Sequence, residues 1–261
     1  MSVIINSRMA SLNISISAEP IAHFFGLTIT NSLLTGWIVT ALLIIGTLSF
    51  ARRIRSSGAP SRLQSFIELL IEALFNMVES IAGKAKAQRF FPLVGALFIF
   101  ILFSNWSGLL PGLAQIGFRE ELHGASVFIP YWRAPTADIN TTLALGLITM
   151  IMVQVYGYKY LGLAYFKKFF DLKSPINFFV GILELISDLS KIISFTFRLF
   201  GNIIAGEILL LVMAMLVPVL GPTPFIALEI FVGFIQALVF MMLASVFINM
   251  ATLGHGDAPH E

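Results

Sequence analysis

The sequence has no cysteine and few charged residues, which make up only 11% of its 261 positions. Soluble domains carry about 25% charged residues, so this chain lacks the polar surface that a water-soluble fold of its length needs. The missing cysteines exclude a disulfide framework and thiolate metal sites, and the four histidines lack metal-ligand spacing. We therefore predict neither a metal nor a cofactor.

Motifs for nucleotide chemistry are also missing, since the sequence contains neither a P-loop nor a dinucleotide fingerprint. Its 16 Lys and Arg barely outnumber its 14 Asp and Glu, and the basic residues cluster beside apolar runs. That distribution is typical of membrane topology rather than of a nucleic-acid surface. We predict no nucleic-acid partner and no ATP chemistry in this chain itself.

Long apolar runs dominate what remains, with 57% hydrophobic residues and a mean hydropathy of +0.91. A hydrocarbon core about 30 Å thick needs about 20 apolar helical residues to cross it. The sequence thus predicts an all-α polytopic membrane protein, a single domain with an N-terminal outer segment at 1–30. Its expected spans are 31–51, 90–111, 138–159, 175–217 and 223–253.

An amphipathic helix is predicted at 61–84, where apolar residues recur every three or four positions from Leu63 to Ile81. Carboxylates on its polar side favour a protein partner over an anionic lipid surface. Segment 175–217 would form a helix of roughly 64 Å, twice the length of an upright span. Because no proline interrupts 176–217, we expect it to tilt steeply and to pair with 223–253 as a hairpin across the Pro/Gly cluster at 218–224.

The orientation follows from Lys and Arg, which concentrate at 52–62, 84–89 and 159–173. Such segments face the cytoplasm. The N-terminus is then outside and the C-terminus inside. We expect a bacterial inner membrane, with a mitochondrial inner membrane as the alternative.

The strongest indication of a functional site is a row of polar residues on one face of a predicted membrane helix. At about 100° per residue, a continuous polar stripe runs along segment 175–217. Its members are Glu184, Ser187, Lys191, Ser194, Arg198 and Asn202. A cation at mid-membrane costs roughly 2.5–3.5 kcal/mol on the insertion scale, so Lys191 and Arg198 each need a polar environment or an anion.

A second polar group is expected nearer the outer surface. Glu207 follows Arg198 on roughly the opposite face, while Glu229 and Gln236 share a face of the last helix. Antiparallel packing would bring Glu229 close to Glu207, and two carboxylates in one low-dielectric site cannot both ionise easily. The pattern indicates two polar routes that do not meet, with Arg198 between them.

Structural interpretations stay open for several of these residues. Asp188 and Lys191 have the spacing to neutralise each other, and Glu207 has the position of an interhelical hydrogen-bonding residue. Asp138 has the position of a helix cap. Arg198 has a long enough side chain to reach a membrane interface.

The run from Ser194 to Glu207, Ser-Phe-Thr-Phe-Arg-Leu-Phe-Gly-Asn-Ile-Ile-Ala-Gly-Glu, resembles the signature of subunit a of the F-type rotary ATP synthases. The pair Glu229 and Gln236 fits the final helix of that family. Segments 55–68, 104–111 and 137–142 are similar to its first inner loop, second span and third span. Glu229 is a departure, because many members carry His there.

The resemblance implies a stator protein with two tilted helices against a rotating ring of c subunits, alongside b subunits of the peripheral stalk and the rest of the synthase. It implies that Arg198 faces the ring carboxylate and that Asn202, Glu207, Glu229 and Gln236 belong to the channel. Glu184 and Ser187 would line the inner route, and Asp138 is included in the expected proton path. It leaves H⁺ and Na⁺ both open.

Two other classes of protein remain as alternatives. A stand-alone secondary transporter also buries Arg and Glu, but it would show inverted repeats or broken helices. A structural membrane scaffold would leave the polar stripe unexplained.

Overall fold

The computed structural model describes residues 18–24, 27–54, 61–110, 112–113, 116–122, 125–169, 175–217 and 220–253. The predicted outer segment 1–30 is therefore described only in part. The 55–60 motif, Pro111, Lys173 and Pro218 lie outside the described residues.

Six α-helices account for most of the described chain. They are α1 (Asn31–Ala51), α2 (Arg62–Ala82), α3 (Lys84–Ser107), α4 (Ile139–Leu161), α5 (Pro175–Leu216) and α6 (Pro222–Ala251). Among the described helices, five are long and apolar enough to cross a membrane, and only α2 is not one of them. The protein is an all-α, multi-pass membrane protein.

The described chain also has two short β-hairpins, which were not predicted from the sequence. Strands β1 (Pro20–Phe24) and β2 (Leu27–Thr30) pair antiparallel before α1, and β3 (Gly117–Leu122) and β4 (Ala125–Pro130) pair antiparallel between α3 and α4. Strands this short carry too few residues for a period of two to stand out from a loop. Their effect is to fix the chain at the ends of the helices that they precede.

The core is built around α3 and α6, which pack against each other along their length. Fully buried residues on the two helices include Phe90, Ile101, Met241 and Ile248. Helix α4 packs against α5 and α6, while α1 contacts the bundle mainly through α3. Most of the apolar surface of α1 and of one side of α5 is exposed, as lipid-facing helices require.

Helix α3 begins and ends earlier than the predicted span 90–111. Gly83, with a φ of 74°, separates α2 from α3, and the first turns of α3 carry basic residues that a hydropathy criterion excludes. At the other end, a Cβ on Gly108 would lie 2.7 Å from the Ala134 side chain. The close approach of that loop favours glycine at position 108, directly after the helix.

The two ends of the bundle are held by different hydrogen bonds. At one end, Asn249 of α6 donates to the Ile81 carbonyl at 2.9 Å and accepts from Lys86 at 3.3 Å. At the other end, Trp132 donates to the Ser107 carbonyl at 2.8 Å. The basic end of the bundle is the one that the charge distribution predicts to face inward.

Helix α5 has 42 residues without a break, so its length of about 63 Å is twice the thickness of a hydrocarbon core. Helix α6 has 30 residues and follows it after a short turn. Phe195, Leu199 and Ile203 bury one face of α5 in the bundle. Arg198 lies about 100° around the helix from the middle of that face, and its side chain is exposed.

Candidate functional site

The polar stripe of α5 forms one wall of a cleft between α5 and α6. The cleft has a volume of about 250 Å³ and is lined by Ser187, Ser190, Lys191, Ser194, Phe195, Arg198, Leu243 and Phe247. Polar groups come from α5, and α6 contributes the apolar wall. Arg198 is the last α5 residue in this lining, so the cleft follows the polar stripe as far as the arginine.

Arg198 is exposed, and one side-chain hydrogen bond to the described chain holds it in place. Its Nη2 donates to Ser194 Oγ, one turn earlier on the same helix, at 3.1 Å. No carboxylate among the described residues forms an ion pair with it. A guanidinium carries five donors and cannot lose its proton under ordinary conditions, so this side chain has donors left for an anion outside the chain.

Lys191 is neutralised within the chain, which is the structural interpretation that the sequence left open. Its Nζ lies 2.7 Å from Asp188 Oδ1 and 5.1 Å from the centre of the Phe247 ring. Asp188 also accepts a hydrogen bond from Gln154 of α4 at 2.8 Å, and Gln154 in turn accepts from Tyr165 at 2.7 Å. Lys191 therefore lines the cleft as part of a network rather than as a lone cation.

The remaining residues of the stripe lie on both sides of this network. Glu184 is half-buried one turn before Asp188, and Ser187 is exposed in the cleft wall. Asn202 is half-buried, and its Nδ2 is a buried donor with no hydrogen-bond partner in the described part of the chain. Unsatisfied buried donors are rare and often mark functional positions.

Glu207 forms an ion pair that the sequence analysis did not predict. Its Oε2 lies 3.2 Å from Nη2 of Arg133, and the side chains are 37% and 11% exposed respectively. The Arg133 backbone N–H donates to Thr35 of α1 at 3.4 Å, so the segment before α4 holds this guanidinium against α5. Burial raises the pKa of the nearby Glu19 carboxyl above its ordinary value, and the positive charge of Arg133 opposes that rise.

Glu229 of α6 is only 8% exposed and lies against Gly206 of α5. A Cβ at position 206 would overlap the Glu229 carboxylate. The antiparallel packing thus brings Glu229 to the residue directly before Glu207, although no hydrogen bond joins the two carboxylates in the described structure. Gln236 lies two turns further along α6 and is half-buried.

Asp138 is the N-cap of α4, as one of the two sequence interpretations predicts. Its Oδ1 accepts the backbone N–H of Asn140 at 2.9 Å, and its Oδ2 accepts the hydroxyl of Ser32 at 2.8 Å. The second bond connects α4 to α1. A buried carboxylate that accepts such bonds is fixed in position.

Two buried polar residues near Glu229, Asn105 and Thr136, were also not predicted as part of the site. Asn105 Oδ1 accepts the Thr136 hydroxyl at 2.8 Å, and Asn105 Nδ2 donates to the Gly233 carbonyl at 3.0 Å. Gly233 is on α6, one turn beyond Glu229. The only signal in the sequence was an asparagine within the apolar run 90–111.

The site therefore has two separate parts, built mainly on the hairpin of α5 and α6. The cleft residues from Ser187 to Arg198 lie towards the basic end of the bundle, and Glu207, Glu229 and Asp138 lie towards the opposite end. Nowhere in the described ranges do three or more His, Cys, Asp or Glu residues converge as metal ligands would. The chemistry that this arrangement offers is proton exchange and charge pairing.

The comparison with known protein families gives one match. The family model described as ATP synthase A chain matches residues 33–249. The matched range begins in α1 and ends in α6, so it includes both parts of the site.

Proposed function

The chain belongs to the ATP synthase A chain family, and we propose that it provides two offset proton half-channels to the carboxylates of a rotating c-subunit ring. Members of this family are non-catalytic, multi-pass membrane subunits of the ATP synthase, and they take part in proton transport for ATP synthesis. The half-channels and the ring contact are the specific roles that we assign to the residues described above.

The exposed Arg198 is the observation that carries this proposal. An arginine on a membrane helix requires an anion or water, and the part of the chain that the structure describes gives it the Ser194 hydroxyl but no carboxylate. A ring carboxylate brought against this face of α5 would supply the missing charge. Because the guanidinium keeps its proton, Arg198 attracts the carboxylate without passing a proton from one route to the other.

The cleft from Ser187 to Arg198 supports an inner route that ends at the arginine. Glu184 lies on the same stripe, further towards the basic end. Residues Glu207, Glu229 and Gln236 support an outer route, with Asn202 and Asp138 as further polar positions along it. Carboxylates exchange protons with hydrogen-bonded water, and amide side chains can hold such water in place along the route.

Rotation follows from the difference in solvation between the two forms of a ring carboxylate. A protonated carboxyl is neutral and can enter lipid, whereas an ionised one is retained near Arg198. Each charge that crosses the membrane yields about 2.3 kcal/mol per 100 mV. Several protons must therefore cross for each ATP that the partner subunits make.

The assembly and its orientation are part of the proposal. We assign the c ring to the exposed face of α5 and expect b subunits of the peripheral stalk elsewhere on the bundle. The basic end of the helices faces the cytoplasm, which puts the N-terminus outside and the C-terminus inside. A bacterial inner membrane fits this orientation, and the mitochondrial inner membrane is the alternative.

The test is ATP-driven proton pumping in inverted vesicles that contain the assembled complex, with Arg198→Ala compared with the unmodified protein. Arg119→Ala is the matched control, because Arg119 is an exposed arginine of β3 outside the site. We expect Arg198→Ala to abolish pumping with the subunit still inserted, and Arg119→Ala to leave it intact. Normal pumping by Arg198→Ala would exclude the proposed role and favour a scaffold.

A further inference from the structure

A cluster of cations at the basic end of the bundle takes no part in the proposed proton routes. Lys86 and Arg89 of α3 both lie over the ring of Tyr160 from α4, with centroid distances of 5.8 Å and 5.5 Å. Lys159 lies 5.9 Å from the centre of the Tyr156 ring. The two tyrosines therefore gather cations from two helices at one place on the membrane surface.

These cations have no carboxylate partner in the part of the chain that the structure describes. Within the described ranges, none of them forms an ion pair. Lys86 donates to Asn249 at 3.3 Å and Arg89 donates to the Tyr160 hydroxyl at 3.4 Å, so each uses only part of its donor capacity. Like charges held together repel each other, and an anion bound between them would relieve that repulsion.

Hydrogen bonds fix the cluster across the two helices. The Tyr156 hydroxyl donates to the backbone carbonyl of Arg89 at 3.2 Å, and the Tyr156 ring meets Phe90 edge-on at 6.0 Å. The ring positions therefore depend on helix packing rather than on the long side chains alone. An anion would meet a partly preorganised site.

Lipid-facing apolar strips lead away from the cluster on both helices. On α3, Arg89 is followed at helical spacing by Pro92, Ile99 and Phe103, all of them exposed. On α4, Ile151 and Val155 are exposed and lead to Tyr158 beside Lys159. An acyl chain can lie along each strip while its phosphate reaches the cations, which favours a phospholipid over a free anion.

We propose that Lys86, Arg89 and Lys159 bind the phosphate headgroup of an anionic phospholipid whose acyl chains lie along the exposed faces of α3 and α4. Each Lys or Arg near an anionic membrane surface strengthens binding about fivefold, so removal of all three weakens it on the order of a hundredfold. The guanidinium and ammonium groups supply the charge, and the tyrosine rings hold them in place.

The experiment measures how much phosphatidylglycerol and phosphatidylcholine the detergent-purified complex retains after exchange with mixed vesicles of the two lipids. Lys86→Gln, Arg89→Gln and Lys159→Gln are combined in one variant. Its matched control combines Arg53→Gln, Arg62→Gln and Lys84→Gln, which remove exposed cations outside the cluster. We expect the first variant to lose its preference for phosphatidylglycerol and the control to keep it.

Two further variants keep the test decisive if the first one assembles poorly. Tyr160→Leu removes the shared ring and retains every charge, and it should lower the preference, whereas Tyr160→Phe should keep most of it. An unchanged preference in the glutamine or Tyr160→Leu variant would overturn the proposal. So would an equal loss in the control, or displacement of the lipid by inorganic phosphate, which would indicate a small-anion site.

Discussion

Replacing Gly206 by Ala tests whether the position of the Glu229 carboxylate matters for proton transfer. The added Cβ would overlap that carboxylate, which is only 8% exposed and must therefore move. Proton transfer requires donor and acceptor within about 2.6–3.2 Å, directly or through one water. A displacement of about 1 Å can cost up to a hundredfold in rate. We expect proton pumping to fall between about tenfold and a hundredfold.

The stability of the subunit should change little in this variant. The group that the new methyl meets is the end of a flexible side chain, and Ala is favoured over Gly inside a helix by about 1 kcal/mol. The two effects oppose each other, so insertion and assembly should remain normal. Gly46→Ala in α1 is the control, because a Cβ there would meet no other part of the described structure within 4 Å, apart from its own helix.

The assay compares ATP-driven dye quenching in inverted vesicles for the unmodified protein, Gly206→Ala, Gly46→Ala, Glu229→Gln and the double variant Gly206→Ala with Glu229→Asp. Aspartate withdraws the carboxylate by one methylene, so the double variant should recover part of the lost pumping. Unimpaired pumping by Gly206→Ala, or a fall that Glu229→Gln does not reproduce, would refute the reasoning.

Three other substitutions give separate tests. Gly201→Ala adds a methyl that meets nothing within 4 Å in the described chain, so it should lower ATP-driven pumping only through contact with the proposed ring, while the thermal unfolding of the isolated subunit is unchanged. Gly157→Ala would overlap the buried Tyr165 ring and should destabilise the subunit by about 1–3 kcal/mol, seen as a lower Tm in detergent. Asn105→Leu removes hydrogen bonds to Thr136 and to the Gly233 carbonyl and should cost about 1–3 kcal/mol by the same measurement, with loss of pumping if α6 shifts.

The stripe on α5 and the amphipathic α2 could be predicted because both depend on helical periodicity, which is a local property of the sequence. Residues at intervals of three or four positions share a face whatever the helix packs against. The same reasoning anticipated the Asp188–Lys191 pair and the capping role of Asp138, since both involve neighbours in the chain.

The contacts that hold the residues near the outer surface, such as Glu207 and Asn105, could not be predicted in this way. Arg133 and Glu207 are 74 positions apart, and Asn105 and Gly233 are 128 apart. Their proximity depends on how the loop before α4 and the hairpin of α5 and α6 pack together. No periodic pattern records such packing, and one sequence offers no second signal. The hairpin β3–β4 that precedes Arg133 was missed for a different reason, because its strands are too short for a period of two to stand out.

The two parts of the site differ in how far the chain itself holds them. Glu207 is paired with Arg133, and Glu229 is enclosed by α5 at Gly206, so the outer carboxylates are positioned before any partner arrives. Among the described residues, Arg198 has as its side-chain partner the Ser194 hydroxyl one helical turn away, and its side chain is exposed. The proposed rotary mechanism depends on this difference, because a permanent internal carboxylate on Arg198 would compete with every ring carboxylate that passes. We expect fixed outer carboxylates, together with an arginine that meets its anion only in the assembly, to let each ring site be held, protonated and released in turn.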